Sequence, residues 1–414
     1  MTKVLTCFTL ILLATLLAGV PVTAQDSEQG AFYTGEYRSI FSEWGLSDEE
    51  IQAHLDETWE HLFYGDDETE RVYYPVGDNM AYILDVNNAD VRSEGMSYGM
   101  MIAVQMDQQE AFDRLWTWAK TYMYHAEGQR AGYFSWHNSP DGTMLDPNSA
   151  PDGETWFATA LFFAAGRWGN GEGIYNYEAE ANAILHAMLH MSETSNLVSD
   201  MFDPEHKMIV FVPQGSNRMF TDPSYHTPHF YELWARWAAE DNEFWSEAAQ
   251  VSREFWHLAA HPETGLMPNY AEFTGEPHPS GDYGEVFYAD AWRCIMNVAV
   301  DYAWFQADPG QVELVDRQLA FFYDLGIGQY NSRFFIDGTS DDPQHRAGGL
   351  IATNAVGSLA ASSETKWEFV EEFWNMPIPS GQFRYYDGML YMMSLLHLSG
   401  NFRIYAPESA ASTA

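Results

Sequence analysis

Cysteine is nearly absent from this 414-residue chain: it has two, Cys7 and Cys294. Cys7 lies in a segment expected to be removed, so no intramolecular disulfide can hold the remainder and a packed core must do so. Lysine is scarce too, occurring only at Lys3, Lys120, Lys207 and Lys366. With 19 Lys+Arg against 60 Asp+Glu, the formal net charge is −41. Such a surface repels nucleic acid and anionic membranes, while a neutral substrate is indifferent to it. So few lysines among so many carboxylates resemble proteins of salty habitats, where salt screens self-repulsion; an ordinary acidic protein is an equal alternative. No regular repeat supports an open helical solenoid. No long Pro/Ser linker or low-complexity tract divides the chain, which reads as one domain over residues 25–414. The histidines are scattered: His226 and His229 are three apart near a helix start, with no third partner evident, so no metal and no cofactor are expected.

The N-terminus has the pattern of an export signal. Lys3 supplies a positive start, residues 7–20 are largely apolar, and Val22-Thr23-Ala24 offers a small-residue cleavage site before Gln25. The apolar run falls short of the ~20 residues a membrane span needs. Residues 1–24 are therefore expected to be a signal peptide and the product to be secreted or periplasmic.

Core material is plentiful, with 46% hydrophobic and 16% aromatic residues. Helical periodicity recurs. Ser47 is placed to cap a helix whose apolar positions are Ile51, Leu55, Trp59 and Leu62. Further segments are predicted near 93–106, 109–124, 154–167, 176–192, 226–240, 243–260, 287–306, 309–325, 347–361, 364–375 and 386–399. Twelve helices in six pairs can close into an all-α (α/α)6 barrel with apolar inner and amphipathic outer helices. Long segments rich in Gly, Pro, Asn and aromatics (64–92, 126–153, 196–225, 262–286 and 327–346) fall mostly before alternate helices. Loops of that length in a compact domain are usually functional, and all of them can converge on one end of a toroid.

Three acids, Glu94, Asp152 and Asp290, each stand where such a loop enters an apolar helix. Any one alone could simply cap its helix; three on one face point to a site. Glycoside hydrolysis needs two carboxyl groups flanking the bond, one with a raised pKa that protonates the leaving oxygen. Aromatic platforms for sugar rings are the accompanying feature, and Tyr133, Phe134, Trp136, Trp156, Tyr225, Tyr283, Tyr385 and Tyr386 lie in or beside these loops. Trp116, Trp118, Trp234 and Trp237, inside predicted helices, are expected in the core. Arg293, just under one helical turn past Asp290, either keeps that carboxylate ionised or forms a structural ion pair.

Four motifs then carry a resemblance. Ser93-Glu94-Gly95-Met96-Ser97-Tyr98-Gly99-Met100 resembles the S-E-G-x-x-Y-G-M run of glycoside hydrolase family 8, and Ala150-Pro151-Asp152-Gly153-Glu154 its A-P-D-G-E motif. Phe287-Tyr288-Ala289-Asp290-Ala291-Trp292-Arg293 is similar to its Y-x-D-A-x-R run, and Thr221-Asp222-Pro223-Ser224-Tyr225-His226 to a further active-site strip. The resemblance spans about residues 35–400. It implies an (α/α)6 barrel, inversion of configuration and no metal. It further implies Glu94 as general acid, Asp290 as general base, Asp152 at subsite −1 and Tyr225 near the nucleophilic water. Within the family the motifs look most like the branch releasing xylose from the reducing end of xylo-oligosaccharides, where a Leu-His-Pro loop walls off the cleft. Here Pro343-Gln344-His345-Arg346-Ala347-Gly348 stands at that place, with a histidine but without the proline after it. The implied substrate-binding set is Asp152, Tyr225, Trp136, Tyr133, Arg293 and His345, in a monomer acting on xylo-oligosaccharides. An endo-1,4-β-xylanase with an open cleft is the close alternative, and a non-catalytic glycan-binding toroid the distant one.

Overall fold

The computed structural model describes residues 29–340 and 346–411. The expected signal peptide and His345 therefore lie outside the described residues.

Two short helices, α1 (Ala31–Thr34) and α2 (Ile40–Trp44), precede α3 (Asp48–Tyr64). The Ser47 cap forms as its sequence predicts. Ser47 Oγ accepts the Glu50 N–H and Glu50 Oε2 accepts the Ser47 N–H, so two orphan donors are satisfied reciprocally. Then follow α4 (Ser93–Gln105), α5 (Gln109–Tyr122), α6 (Pro151–Trp168), α7 (Tyr177–His190), α8 (Pro228–Trp237) and α9 (Asn242–Ala259). The chain continues through α10 (Trp292–Phe305), α11 (Gly310–Leu325), α12 (Gly348–Val356), α13 (Lys366–Trp374), α14 (Arg384–Leu398) and the short α15 (Glu408–Ala411). Each of the twelve predicted helices is present.

They close as six pairs. α4, α6, α8, α10, α12 and α14 form the inner ring. α4 packs on α6, α8 on α10, α10 on α12, α12 on α14, and α14 back on α4. The α6–α8 seam is made by Trp156 against the Phe230 ring and by Trp234 Nε1 donating to Thr159 Oγ1. The inner helices are apolar all round because both faces are covered: every residue of α4 except Glu94 is buried, as is all of α6 from Pro151 to Ala165. The outer helices bury one stripe, as in α5 with Phe112, Leu115, Trp116 and Trp118. Trp116, Trp118, Trp234 and Trp237 are core residues as expected. Each large apolar side chain so buried contributes about 1.5–3 kcal/mol. Arg253 on α9 adds a buried clamp, bonding both carboxylate oxygens of Asp301 on α10 and one of Glu232 on α8. Cys294 is buried with a free thiol. Among the described residues no helix is long and apolar enough to cross a membrane.

Among the described residues, three small antiparallel sheets brace the loops: β1 (Tyr73–Val76) with β2 (Met80–Ile83), β3 (Val91–Arg92) with β4 (His137–Asn138) and β5 (Met144–Asp146), and β6 (Val286–Phe287) with β7 (Phe334–Phe335). β3–β4 pairing and the Ser93 N–H bond to Trp136 O tie the loop bearing Trp136 to the start of α4.

Candidate active site

The five long loops converge as predicted. With the N-termini of α4, α6 and α14 and the entry to α10, they line two confluent arms of one cleft. The first arm has a volume of about 420 Å³ and is lined by Arg92, Trp136, Asp152, Tyr225 and Tyr270, together with Glu94 and Asp290. The second, about 720 Å³, is lined by Asn88, Tyr283, Tyr288, Ala347, Tyr386 and Asp387, again with Glu94 and Asp290. The two carboxylates are the junction of the arms.

Arg293 organises that junction. Its Nη1 donates to Glu94 Oε2 at 2.9 Å, to Tyr98 OH at 2.7 Å and to Asp152 Oδ2 at 3.3 Å. Its Nη2 donates to Asp290 Oδ1 at 3.0 Å and to Ser224 Oγ at 2.8 Å, and stands 4.0 Å from Asp222 Oδ2. One planar guanidinium thus serves four carboxyl groups from four segments of the chain. Arginine suits this place because its rigid fork presents five donors and stays charged.

Two glycines in the motifs make the closeness possible. A Cβ on Gly95 would sit 2.5 Å from the Tyr385 ring, whose hydroxyl donates to Glu94 Oε1 at 3.0 Å. A Cβ on Gly153 would sit 2.6 Å from Ser93 Oγ, forcing apart the helix starts that carry Glu94 and Asp152.

Burial acts on three of these four carboxyl groups. It raises the Glu94 carboxyl above its usual range; Arg293 opposes this and the charge of Asp290 reinforces it. Burial likewise pushes Asp152 up to about 7 against the pull of Arg293. Asp222, fully buried, is raised well above the carboxylate range by burial and then by Asp290. Asp290 is the most open of the four, with its side chain 32% exposed against 16% for Glu94. It is held in a 3₁₀ turn (Ala289–Ala291) fixed by the Ala291 N–H to Asn269 Oδ1 and by Tyr386 OH to Ala289 O. Glu94, raised by burial, thus stands beside the more open Asp290; glycoside cleavage uses two carboxyl groups set in different environments.

Glu94, Asp152, Asp290, Arg293, Tyr225 and Trp136 are brought together as expected; Tyr133 is not. Its ring is fully buried and its hydroxyl donates to Ser199 O, so it is a core residue and offers no face to a sugar. Phe134 and Trp156 are buried as well, whereas Trp136, Tyr225, Tyr283, Tyr385 and Tyr386 line the cleft. His226 and His229 are buried, and His226 bonds the Thr221 and Ser252 hydroxyls. Tyr98, Asp222 and Ser224 stand in the quoted motifs without a role of their own, and Tyr270 was missed. Tyr98 was detectable, since it stands four residues after Glu94 on the same face of α4.

Residues 83–400 match the family described as Glycosyl hydrolases family 8. The chain belongs to that family. It is 50% identical to the reducing-end xylose-releasing exo-oligoxylanase Rex8A of Paenibacillus barcinonensis over 91% of this chain and 99% of that one. A mutant of the same Rex8A, solved with an arabinofuranosyl-xylotetraose, superposes with a TM-score of 0.88 at 50% identity, covering 92% of this chain and 99% of the other. A family 8 xylanase of Teredinibacter turnerae, solved as a catalytic mutant with xylohexaose, matches with a TM-score of 0.88 at 45% identity, over 91% of this chain and all of that one. The (α/α)6 barrel is the fold these relatives share.

Proposed function

We propose that the protein is an exported, inverting glycoside hydrolase that removes xylose from the reducing end of β-1,4-linked xylo-oligosaccharides. The observation that carries this reading is the pair Glu94 and Asp290, held on one guanidinium where the two cleft arms meet. The protonated Glu94 gives its proton to the leaving oxygen as the bond from that oxygen to the anomeric carbon breaks. Asp290 takes a proton from the water that attacks the opposite face, and the two carboxyls exchange protonation states until solvent resets them. The two carboxyls sit on different nitrogens of Arg293, and inversion requires them about 6.5–9.5 Å apart so that a water fits between acid and base. Asp152 assigns the first arm to the sugars on the non-reducing side, with Trp136 and Tyr225 as ring contacts. The second arm receives the leaving sugar. It is lined by Ala347, beside the stretch that replaces the Leu-His-Pro loop.

Digestion of xylotriose labelled at its reducing end tests the reading. Labelled xylose should appear alone at first, proton NMR should show the first anomer of the other product as α, and a methyl-capped trisaccharide should be cut far more slowly. A ladder of mid-sized oligomers from xylan at the earliest times would mean an open cleft and an endo-xylanase. A β first anomer would overturn inversion.

A further inference from the structure

A second cluster of ligand-type side chains lies outside the cleft, on outer helix α7 and the turn that joins α8 to α9. His186 and His190 stand one helical turn apart with their rings nearly parallel, centroids 4.7 Å apart and planes at 25°. Glu240 reaches His186 from the α8–α9 turn, its Oε1 lying 2.6 Å from Nδ1. One donor atom from each of His186, His190 and Glu240 lies within 4.8 Å of the others. Two more carboxylates grip His190, Glu193 Oε1 at 2.9 Å from Nδ1 and Asp241 Oδ2 at 2.8 Å from Nε2. Ordinary surface ion pairs would explain the carboxylates around His190. They do not explain two imidazoles stacked face to face, which repel if both are protonated.

We infer that His186, His190 and Glu240 form a surface site for a divalent transition ion such as Zn²⁺, clamping α7 to the α8–α9 turn. Imidazole donors at helical i,i+4 spacing with a carboxylate suit Zn²⁺ and its neighbours, and two nitrogens in three donors disfavour Ca²⁺ and Mg²⁺. One ring nitrogen of His190 takes the ion while the other keeps its carboxylate, the outer-shell bond that fixes a ligand's tautomer. Asp241 or Glu193, whichever is released, or a water fills the fourth position. The ion would bridge two elements distant in sequence, and no step at Glu94 or Asp290 runs through it.

Calorimetric titration of the chelator-stripped full chain with Zn²⁺, and separately with Ca²⁺, tests the site. One saturable equivalent of Zn²⁺ is expected, with a raised melting temperature and no comparable effect of Ca²⁺. His186→Ala and Glu240→Gln should lose that equivalent, and Asp241→Asn should weaken it by about 10–100-fold, while xylo-oligosaccharide hydrolysis stays unchanged in all three. Absence of a saturable equivalent in the wild-type chain, or its survival in His186→Ala, would overturn the assignment.

Discussion

Arg293 Nη1 lies 2.9 Å from Glu94 Oε2, so the carboxyl proposed as general acid carries a permanent cation at its side. Taken alone, that contact would strip Glu94 of the proton it has to donate. Burial outweighs it, and the negative charge of Asp290 acts in the same direction as burial. Burial and the neighbouring Asp290 charge hold the Glu94 carboxyl above its usual range despite the arginine, which fixes its geometry.

Glu94→Gln and Asp290→Asn should therefore each abolish turnover while preserving fold and binding, since both keep shape and remove only proton transfer. The loss in kcat should be about 10²–10⁴-fold or more. Steady-state kinetics together with calorimetric binding of xylotriose check this; near-wild-type kcat in either variant removes the role assigned to that residue.

Arg293→Lys keeps the charge but cannot hold four carboxyl groups from one plane. With Glu94 and Asp290 no longer fixed to a common fork, kcat should fall by about 10²-fold or more, the cost of an ångström-scale misplacement. Arg293→Met goes further: it leaves buried carboxyls without a counterion and should cost on the order of 3–5 kcal/mol of stability. Urea unfolding of both variants separates the two effects, for the lysine variant should unfold much closer to wild type than the methionine variant.

Tyr385 donates to Glu94 Oε1 at 3.0 Å and helps to hold the Glu94 carboxyl down. Tyr385→Phe removes that bond, so Glu94 should keep its proton to a higher pH. The alkaline limb of the kcat/KM profile should move upward, because activity ends there when Glu94 deprotonates. A limb that moved downward, or not at all, would mean that another group sets it.

How legible was this in the sequence? Helix identity was written in apolar periodicity, and the ends differ where local bonding overrides it. The segment predicted from residue 287 begins as a helix only at Trp292, because Val286–Phe287 pairs with Phe334–Phe335 and Ala289–Ala291 forms a 3₁₀ turn. That turn aims Asp290 into the cleft. The helix predicted to reach residue 361 ends at Val356 and continues as a 3₁₀ turn to Leu359. Strands of two to four residues are too short for a period-2 signal. Tyr133 shows where loop reading fails: it shares a Gly-rich loop with Trp136, yet composition cannot tell which rings turn inward. Tyr133 is anchored on Ser199 and Phe134 packs against Trp116 and Phe157, while Trp136 lines the cleft. The Arg293 fork joins residues 141 and 199 positions apart, a relationship set by barrel closure and not by local spacing.

Glu154 gives a stability prediction separate from catalysis. It is fully buried on α6, accepts the Phe134 N–H at 2.9 Å, and burial pushes its carboxyl from 4.5 to about 8. Between those values the folded chain holds a proton that the unfolded chain has released. Its contribution is therefore whole below about pH 4.5 and declines as pH rises toward 8. Glu154→Gln fixes the neutral form and retains an acceptor for Phe134. The variant should lose on the order of a few kcal/mol of pH dependence across that window and should outlast wild type above it. Melting temperatures taken from pH 4 to 9 check this. A variant whose stability falls as steeply as wild type between those limits would show that Glu154 is already ionised in the folded protein, paired with some group other than the Phe134 amide.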